Sequence, residues 1–184
     1  MAKILIIIAP KDFQDMEYLV PKEIFEEAGF EVATASTKKD CLGVFGLDVT
    51  ADILLNEIKT EDYEAAVLVG GGGAQVFIND PQMHQLLKEF YKSGKIVAAI
   101  CLSPATLAKA GLLKGKKCTV FPDSQLIAML RAGGPARNAR ERVCVAGGGE
   151  YTGNPVEQDG RIITATDPTT AKEFAETIVK NMVK

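Results

Sequence analysis

The stretch KIVAAICLSPATLAKAG, residues 95–111, constrains the fold of this chain more than any other. Ile96 to Ile100 is an apolar run too short for a helix and rich in β-branched and small residues, so it reads as a buried strand. Cys101 follows at once. Pro104 then suits the first turn of a helix, and Gly111 suits its end. A strand, a sharp turn carrying one nucleophilic side chain and a helix start behind it make a nucleophile elbow. The thiolate is the reactive form of cysteine, and backbone N–H groups with the positive end of a helix favour it. The alternative is a cysteine packed as a small hydrophobe. The elbow context makes Cys101 the candidate nucleophile.

An elbow needs a sheet around it. Ile4 to Ala9, Glu31 to Ser36, Ala65 to Val69 and Cys118 to Val120 read as further strands. Helical spacing runs over Met16 to Ala28, where Pro21 either starts or bends the helix, and over Ser124 to Ala132. Asp80-Pro81 opens another helix, with Met83, Leu86, Leu87 and Phe90 on one face and Ser93-Gly94 as its stop. Asp167-Pro168 opens the last, which runs to about Val183. Pro10 to Asp15 reads as a polar loop, Val44 to Leu54 as strand-like pieces broken by Gly46, and Asp52 to Ile58 as a brief helix. Pro155 to Gln158 and Arg161 to Ala165 flank Asp159-Gly160, a two-residue hairpin signal. This alternation predicts an α/β doubly wound, mostly parallel sheet with an antiparallel hairpin near the C-terminal end. No repeat or linker divides residues 1–184, so a single domain is expected.

Composition narrows the function. Net charge is −3, so no basic footprint points to nucleic acid or an anionic membrane. The opening MAKILIIIAP is apolar only from Ile4 to Ala9 and meets Lys11, Asp12 and Asp15 directly, so it reads as a central strand rather than a leader. No stretch approaches a membrane span, and a cytoplasmic protein is expected. Cysteines stand at 41, 101, 118 and 144 with no C-x-x-C pair and one histidine in the chain, which argues against a zinc site and a disulfide framework. Cys118 reads as packed; Cys41 and Cys144 read as more accessible, without an activating partner. Gly71-x-Gly73 meets Val76 where a dinucleotide fingerprint needs a third glycine, and Gly111-Leu-Leu-Lys-Gly-Lys116 is one residue short of a phosphate loop. Neither a metal nor a cofactor is expected.

Ligands of an open parallel sheet bind beyond the carboxyl ends of its strands. The loop after Ala9, the run Gly70 to Gly73 and Cys101 all leave their strands at that edge, so three distant segments converge on one crevice. Glu17 lies where the first helix begins there. Protonated, it would donate to the Cys101 thiolate; ionised, it would raise the cysteine pKa; the alternative is an exposed acid favourable to the helix dipole. Asp12 and Asp15 are weaker candidates. The amides of Gly70 to Gly73 beside that of Leu102 suit an oxyanion hole, or a tight turn alone. His84, one position from the apolar stripe of its helix, reads as a surface-leaning structural residue.

AAICLSPATLAKAGLLKGKKCTVFPD, with DMEYLVP before it and VLVGGGGA between, resembles the ThiJ/PfpI superfamily, and the likeness extends through GEYTGNPVEQDGRIITATDPTTAKEFAETIV. The resemblance implies a flavodoxin-like three-layer α/β/α sandwich and a homodimer. It implies Cys101 as the reactive residue, Glu17 as the carboxyl beside it, and Gly72 and Leu102 as backbone contacts. Peptidases of that group carry histidine directly after the cysteine, where this chain has Leu102. Its deglycase branch carries histidine before the proline of the segment matching Thr119 to Pro122, where this chain has Phe121. GPARNARERVCVAGGG, residues 134–149, is longer than in the relatives and reads as a surface hairpin or a flap. The leading expectation is stress protection by Cys101 chemistry on a small electrophile or oxidant, with glyoxalase- or deglycase-like turnover. A redox sensor whose Cys101 becomes a sulfinate is the alternative, and a peptidase the disfavoured third.

Overall fold

β1 (Lys3–Ile7) is buried almost throughout and takes a parallel neighbour on each side, β3 (Glu31–Ser36) and β7 (Ala65–Leu68). The computed structural model describes residues 2–122 and 144–183. Beyond β3 lies the short edge strand β6 (Ile53–Leu54). Beyond β7 come β8 (Ile96–Ile100) and β12 (Ile162–Ala165), both parallel, and then β11 (Val156–Asp159), antiparallel at the other edge. The seven strands run in the order β11-β12-β8-β7-β1-β3-β6. From β1 the chain moves to one side for β3 and β6, then returns to the other side for β7 and β8. The order therefore reverses between β1 and β7, which opens a crevice at their carboxyl ends.

Helices α1 (Asp15–Glu27) and α5 (Ala171–Met182) pack together on one face of the sheet. The short helix α2 (Gln75–Ile78), α3 (Pro81–Lys92) and α4 (Pro104–Lys109) cover the other. Local sequence explains their starts. Asp80 accepts the Gln82 N–H at 2.9 Å with Pro81 at the first helical position, and Met83, Leu87 and Phe90 are then buried at helical spacing. Gln14 caps α1 by accepting the Met16 N–H at 3.0 Å, and Asp167 accepts the Thr169 N–H at 2.9 Å before α5. Pro21 neither starts nor ends α1, which runs through it and buries it.

Two small sheets accompany the central one among the described residues. β2 (Lys11–Phe13), β4 (Asp40–Gly43) and β5 (Asp48–Thr50) form one; β9 (Lys117–Cys118) pairs with β10 (Glu150–Tyr151) in the other. They revise the sequence reading at several points. The loop expected over 10–15 contains β2, because β4 offers it a partner. The helix expected over 52–58 is β6 followed by a single 3-10 turn, Leu55–Glu57. The C-terminal hairpin turns on Gly160 and Arg161 rather than on Asp159-Gly160, since Asp159 pairs with Ile162. The Asp159 carboxylate accepts the Lys117 N–H at 3.0 Å and Lys116 Nζ at 3.1 Å, which holds Asp159 in the strand and leaves Gly160 to take the positive φ of 62°. The helix expected over 124–132 lies outside the described residues, as does most of 134–149.

Gly73 shows how tightly the crevice loops are fitted. A Cβ there would stand 1.7 Å from the Lys11 carbonyl oxygen, a backbone atom that cannot swing away. Gly29, at φ +84°, would meet nothing within 4 Å. Gly73→Ala is therefore expected to cost about 3 kcal/mol or more, and Gly29→Ala only about 1 kcal/mol. Urea unfolding checks this; equal losses at the two sites would contradict the loop packing described here.

Candidate functional site

Cys101 leaves β8 with φ +63°, a conformation that costs a non-glycine residue about 1–2 kcal/mol. Neighbouring elements hold it there. Its N–H donates to Ala165 O at the end of β12 (3.0 Å), and its carbonyl accepts the Phe121 N–H (2.9 Å). Two residues on, the Ser103 N–H closes back on Ile100 O (3.1 Å), while the buried Ser103 hydroxyl donates to Val69 O at the end of β7 (2.8 Å). The elbow is thus tied to both strands that flank β8.

The loop after β7 meets the elbow through glycines. A Cβ on Gly70 would lie 2.6 Å from Cys101 Cβ and 2.7 Å from Glu17 Oε2, so only hydrogen fits. Gly71, at φ +93°, is pressed against the Asp12 carbonyl and the Gln14 amide, and the Gln14 N–H donates to Gly70 O at 3.1 Å. The loops after β1, β7 and β8 are therefore in contact at the crevice. Gly72 stands one residue past the contact and opens a 3-10 turn, Gly72–Ala74. The backbone amides that interact with the Cys101 sulfur are those of Gly71 and Leu102. Counting along a glycine run could not distinguish position 71 from 72; the packing of Gly71 on the first loop does.

Glu17 is fully buried, which dismisses the reading of an exposed first-turn acid. Its Oε2 accepts the Gly70 N–H at 2.9 Å. Its Oε1 makes no regular hydrogen bond among the described residues, and the carboxyl interacts with the Cys101 thiol. Burial pushes the carboxyl up to about 8, against the lowering effect of the Gly70 and Cys101 hydrogen bonds, and Asp167 at the head of α5 adds a smaller upward push. At neutral pH the acid is protonated, and the unpaired oxygen is where its proton belongs. Asp167 was legible as a cap but not as a charge facing Glu17, since that proximity comes from the packing of α5 on α1.

Cys101 is 7% exposed, and its thiol is pushed well above its ordinary value, first by burial and then by the Glu17 charge. The Gly71 and Leu102 amides pull the other way without winning. The expectation that helix and amides would favour the thiolate is corrected here: α4 is only six residues long, and desolvation outweighs it. Thiol and acid form a coupled pair that resists carrying two negative charges.

The other candidates have structural employment. Asp15 is buried and accepts the Phe45 and Leu47 N–H groups, both at 3.0 Å, which clamps the turn between β4 and β5. His84 Nε2 lies 2.9 Å from Ile78 O. Cys41 and Cys144 are buried, not accessible. Among the described residues no cluster of three or more His, Cys, Asp or Glu side chains is placed to hold a metal, and no helix is long and apolar enough to cross a membrane.

The raised carboxyl has a thermodynamic sign. Glu17 is neutral in the folded protein up to about 8 but ionises near 4.5 when exposed. Its contribution to stability is complete below the unfolded value and is lost at about 1.4 kcal/mol per pH unit as pH rises toward the folded one. Glu17→Gln keeps an acceptor for Gly70 and cannot ionise. It is expected to gain on wild type by several kcal/mol between pH 5 and pH 8, read from urea unfolding; a difference that does not change with pH would refute the buried neutral acid.

Comparison with known proteins agrees with this geometry at the level of family. The model of the DJ-1/PfpI family matches residues 2–181. An uncharacterized protein of Methanocaldococcus jannaschii is 39% identical over 185 residues, covering 100% of this chain and 83% of that protein. Deglycase PfpI of Pyrococcus furiosus is 30% identical over 118 residues, covering 64% of this chain and 71% of that protein. The crystal structure of a ThiJ/PfpI domain protein from Brachyspira murdochii matches with a TM-score of 0.87 at 28% identity, covering 98% of this chain and 96% of that one. The chain belongs to the DJ-1/PfpI family.

Proposed function

We propose that the chain protects against small reactive carbonyls by cysteine chemistry of the glyoxalase or deglycase type, with Cys101 as nucleophile and Glu17 as proton carrier. The observation that carries this reading is the buried neutral acid placed against the thiol. Membership of a family that includes a deglycase-named relative supports it. As pH rises through about 8 the pair loses one proton, held until then by Glu17. The carboxylate so formed takes the Cys101 proton as the sulfur attacks, so that a thiolate stands beside a carboxylic acid only in the reacting state. The sulfur attacks the aldehyde carbon of an α-oxoaldehyde, and the Glu17 proton passes to the carbonyl oxygen, which the Gly71 and Leu102 amides face. Glu17, now a carboxylate, takes the hydrogen from the former aldehyde carbon as a proton and returns it to the neighbouring carbon. The hydroxyl proton of the first carbon passes to the oxygen of the second, leaving a thioester beside a new hydroxyl. Water releases the resulting thioester as a hydroxy acid and restores the thiol.

The missing histidines favour a second reading. With Leu102 after the cysteine, Phe121 before Pro122 and His84 bound to Ile78, no imidazole assists Cys101 among the described residues. In that reading two equivalents of peroxide oxidise the thiol, first to a sulfenic acid and then to a sulfinate, each leaving one oxygen on sulfur and one as water. The sulfinate accepts from the Gly71 and Leu102 amides and the Glu17 acid. The same missing imidazole disfavours a peptidase. One set of measurements separates the readings. Wild type is expected to consume methylglyoxal with a rate that climbs with pH through about 8, Cys101→Ser to show none, and Glu17→Gln to lose about 100-fold or more. Turnover surviving in Cys101→Ser sinks the carbonyl reading; absent turnover with a 32 Da gain (about two oxygen atoms) confined to Cys101 after peroxide establishes the second.

We further propose a homodimer formed over the rim of the site. Met16, Leu19, Leu42, Val44 and Phe45 are exposed, Phe45 by 75%. They form one surface, because Leu42 and Val44 donate to Pro10 O and Phe13 O, and Phe45 to Asp15, just before Met16. A second copy removes that apolar patch from water. Phe45→Glu is expected to turn a dimer into a monomer in sedimentation velocity, and a wild-type monomer at high concentration would dismiss the interface.

A further inference from the structure

Two cysteines outside the crevice stand side by side. Cys118 ends β9 and Cys144 lies far along the chain, yet both are fully buried and their thiols hydrogen-bond to each other. Gly149 is the seam between them. Its N–H donates to Cys144 O at 3.0 Å, and a Cβ on it would lie 2.8 Å from Cys118 Sγ and 3.1 Å from Cys144 O. The surrounding ladder fixes the approach: the Gly115 N–H donates to Gly148 O (2.8 Å), Glu150 to Lys116 O (2.8 Å) and Thr152 to Cys118 O (3.0 Å). The position at 149 thus lies against the sulfur of one cysteine and the backbone of the other, and any side chain there would intrude on both.

We propose that Cys118 and Cys144 are a redox site distinct from the Cys101 crevice, closing to a reversible disulfide on reaction with a peroxide. Polarity within the pair sets the order of events. The hydrogen bond from Cys144 holds the Cys118 thiol below its ordinary value despite burial, so Cys118 is the attacking sulfur. Its thiolate displaces hydroxide from hydrogen peroxide and becomes a sulfenic acid, taking one oxygen while the peroxide O–O bond breaks. The Cys144 sulfur then attacks the Cys118 sulfur, the S–O bond breaks, and the oxygen leaves as water with the Cys144 proton. The two thiols lose two electrons and one peroxide is reduced. A dithiol reverses the step by exchange. Peroxide reaches the pair when the two-residue ladder of β9 and β10 opens, which needs far less disruption than opening the central sheet.

The test removes the crevice thiol first. Of the chain's four cysteines, Cys101→Ser leaves three. That protein is treated with hydrogen peroxide, quenched with catalase, denatured and alkylated. The expected result is a fall from three alkylatable thiols to one, a non-reduced peptide joining Cys118 to Cys144, and return to three after dithiothreitol. Adding Cys144→Ser is expected to abolish the joined peptide and leave Cys118 over-oxidised or unreacted. Three thiols remaining after peroxide, or a linkage through Cys41, overturns the proposal. If the double variant does not fold, the peptide map of Cys101→Ser alone decides. Methylglyoxal turnover plays no part in this readout, so the proposal survives or fails independently of Cys101.

Discussion

The hydrogen bond from the Gly70 amide to Glu17 Oε2 is the point at which the sheet becomes a site. It joins the helix that follows β1 to the loop that follows β7, across the place where the strand order reverses. It satisfies one carboxyl oxygen and leaves the other buried without a regular hydrogen bond among the described residues. In so dry a place, one hydrogen bond does not compensate for the lost hydration of a full negative charge, so the acid keeps its proton. Glycine at 70 is a condition of that arrangement, because a Cβ would fall on Glu17 Oε2, on Cys101 Cβ and on the Ile100 carbonyl alike. Acid, glycine and elbow each determine where the other two can be.

The backbone strain at Cys101 follows from the same packing. A left-handed cysteine is unfavourable by about 1–2 kcal/mol on its own, while each hydrogen bond around it contributes on the order of 1 kcal/mol. Ala165, Phe121, Ile100 and Val69 take part in four such bonds, drawn from both neighbouring strands and from the segment that follows β9. The conformation is therefore over-determined, and the sulfur is presented at a fixed height above the Gly71 and Leu102 amides. Precision here comes from strands rather than from the six-residue helix behind the elbow.

Much of this was legible in the residues because it depends on local pattern. β3 and β8 begin and end where their β-branched runs do, and α3 starts at its Asp-Pro signal. The crevice was legible at one remove, since strand polarity alone sends the loops after Ala9, Val69 and Ile100 to one edge. What escaped was set by partners far away in the chain. β2 exists because β4 is beside it, and the final hairpin slips by one residue because Lys116 and Lys117 hold Asp159. Burial escaped too. Nothing in the neighbourhood of Cys144 announces that it packs on Cys118, and nothing near Cys101 states that desolvation there exceeds the pull of two amides.

The absence of a histidine beside the elbow, together with the one buried carboxyl that interacts with the thiol, limits what chemistry the crevice suits. A peptide bond can be cleaved only if a proton reaches the departing amine, on the far side of the carbonyl from the attacking sulfur. Glu17 is fully buried and held by the Gly70 amide, and the residue after the cysteine is the apolar Leu102 rather than a second proton donor. A dicarbonyl makes a smaller demand. Its hydrogen has only to move between adjacent carbons, and the acid that supplied a proton to the oxygen is left as the base that collects the next one. One carboxyl that alternates between neutral and charged, at a pKa near neutrality, suffices for that cycle. The substrate we propose is accordingly small, to suit a crevice in which Cys101 is 7% exposed, and carries both of its reacting carbons next to each other.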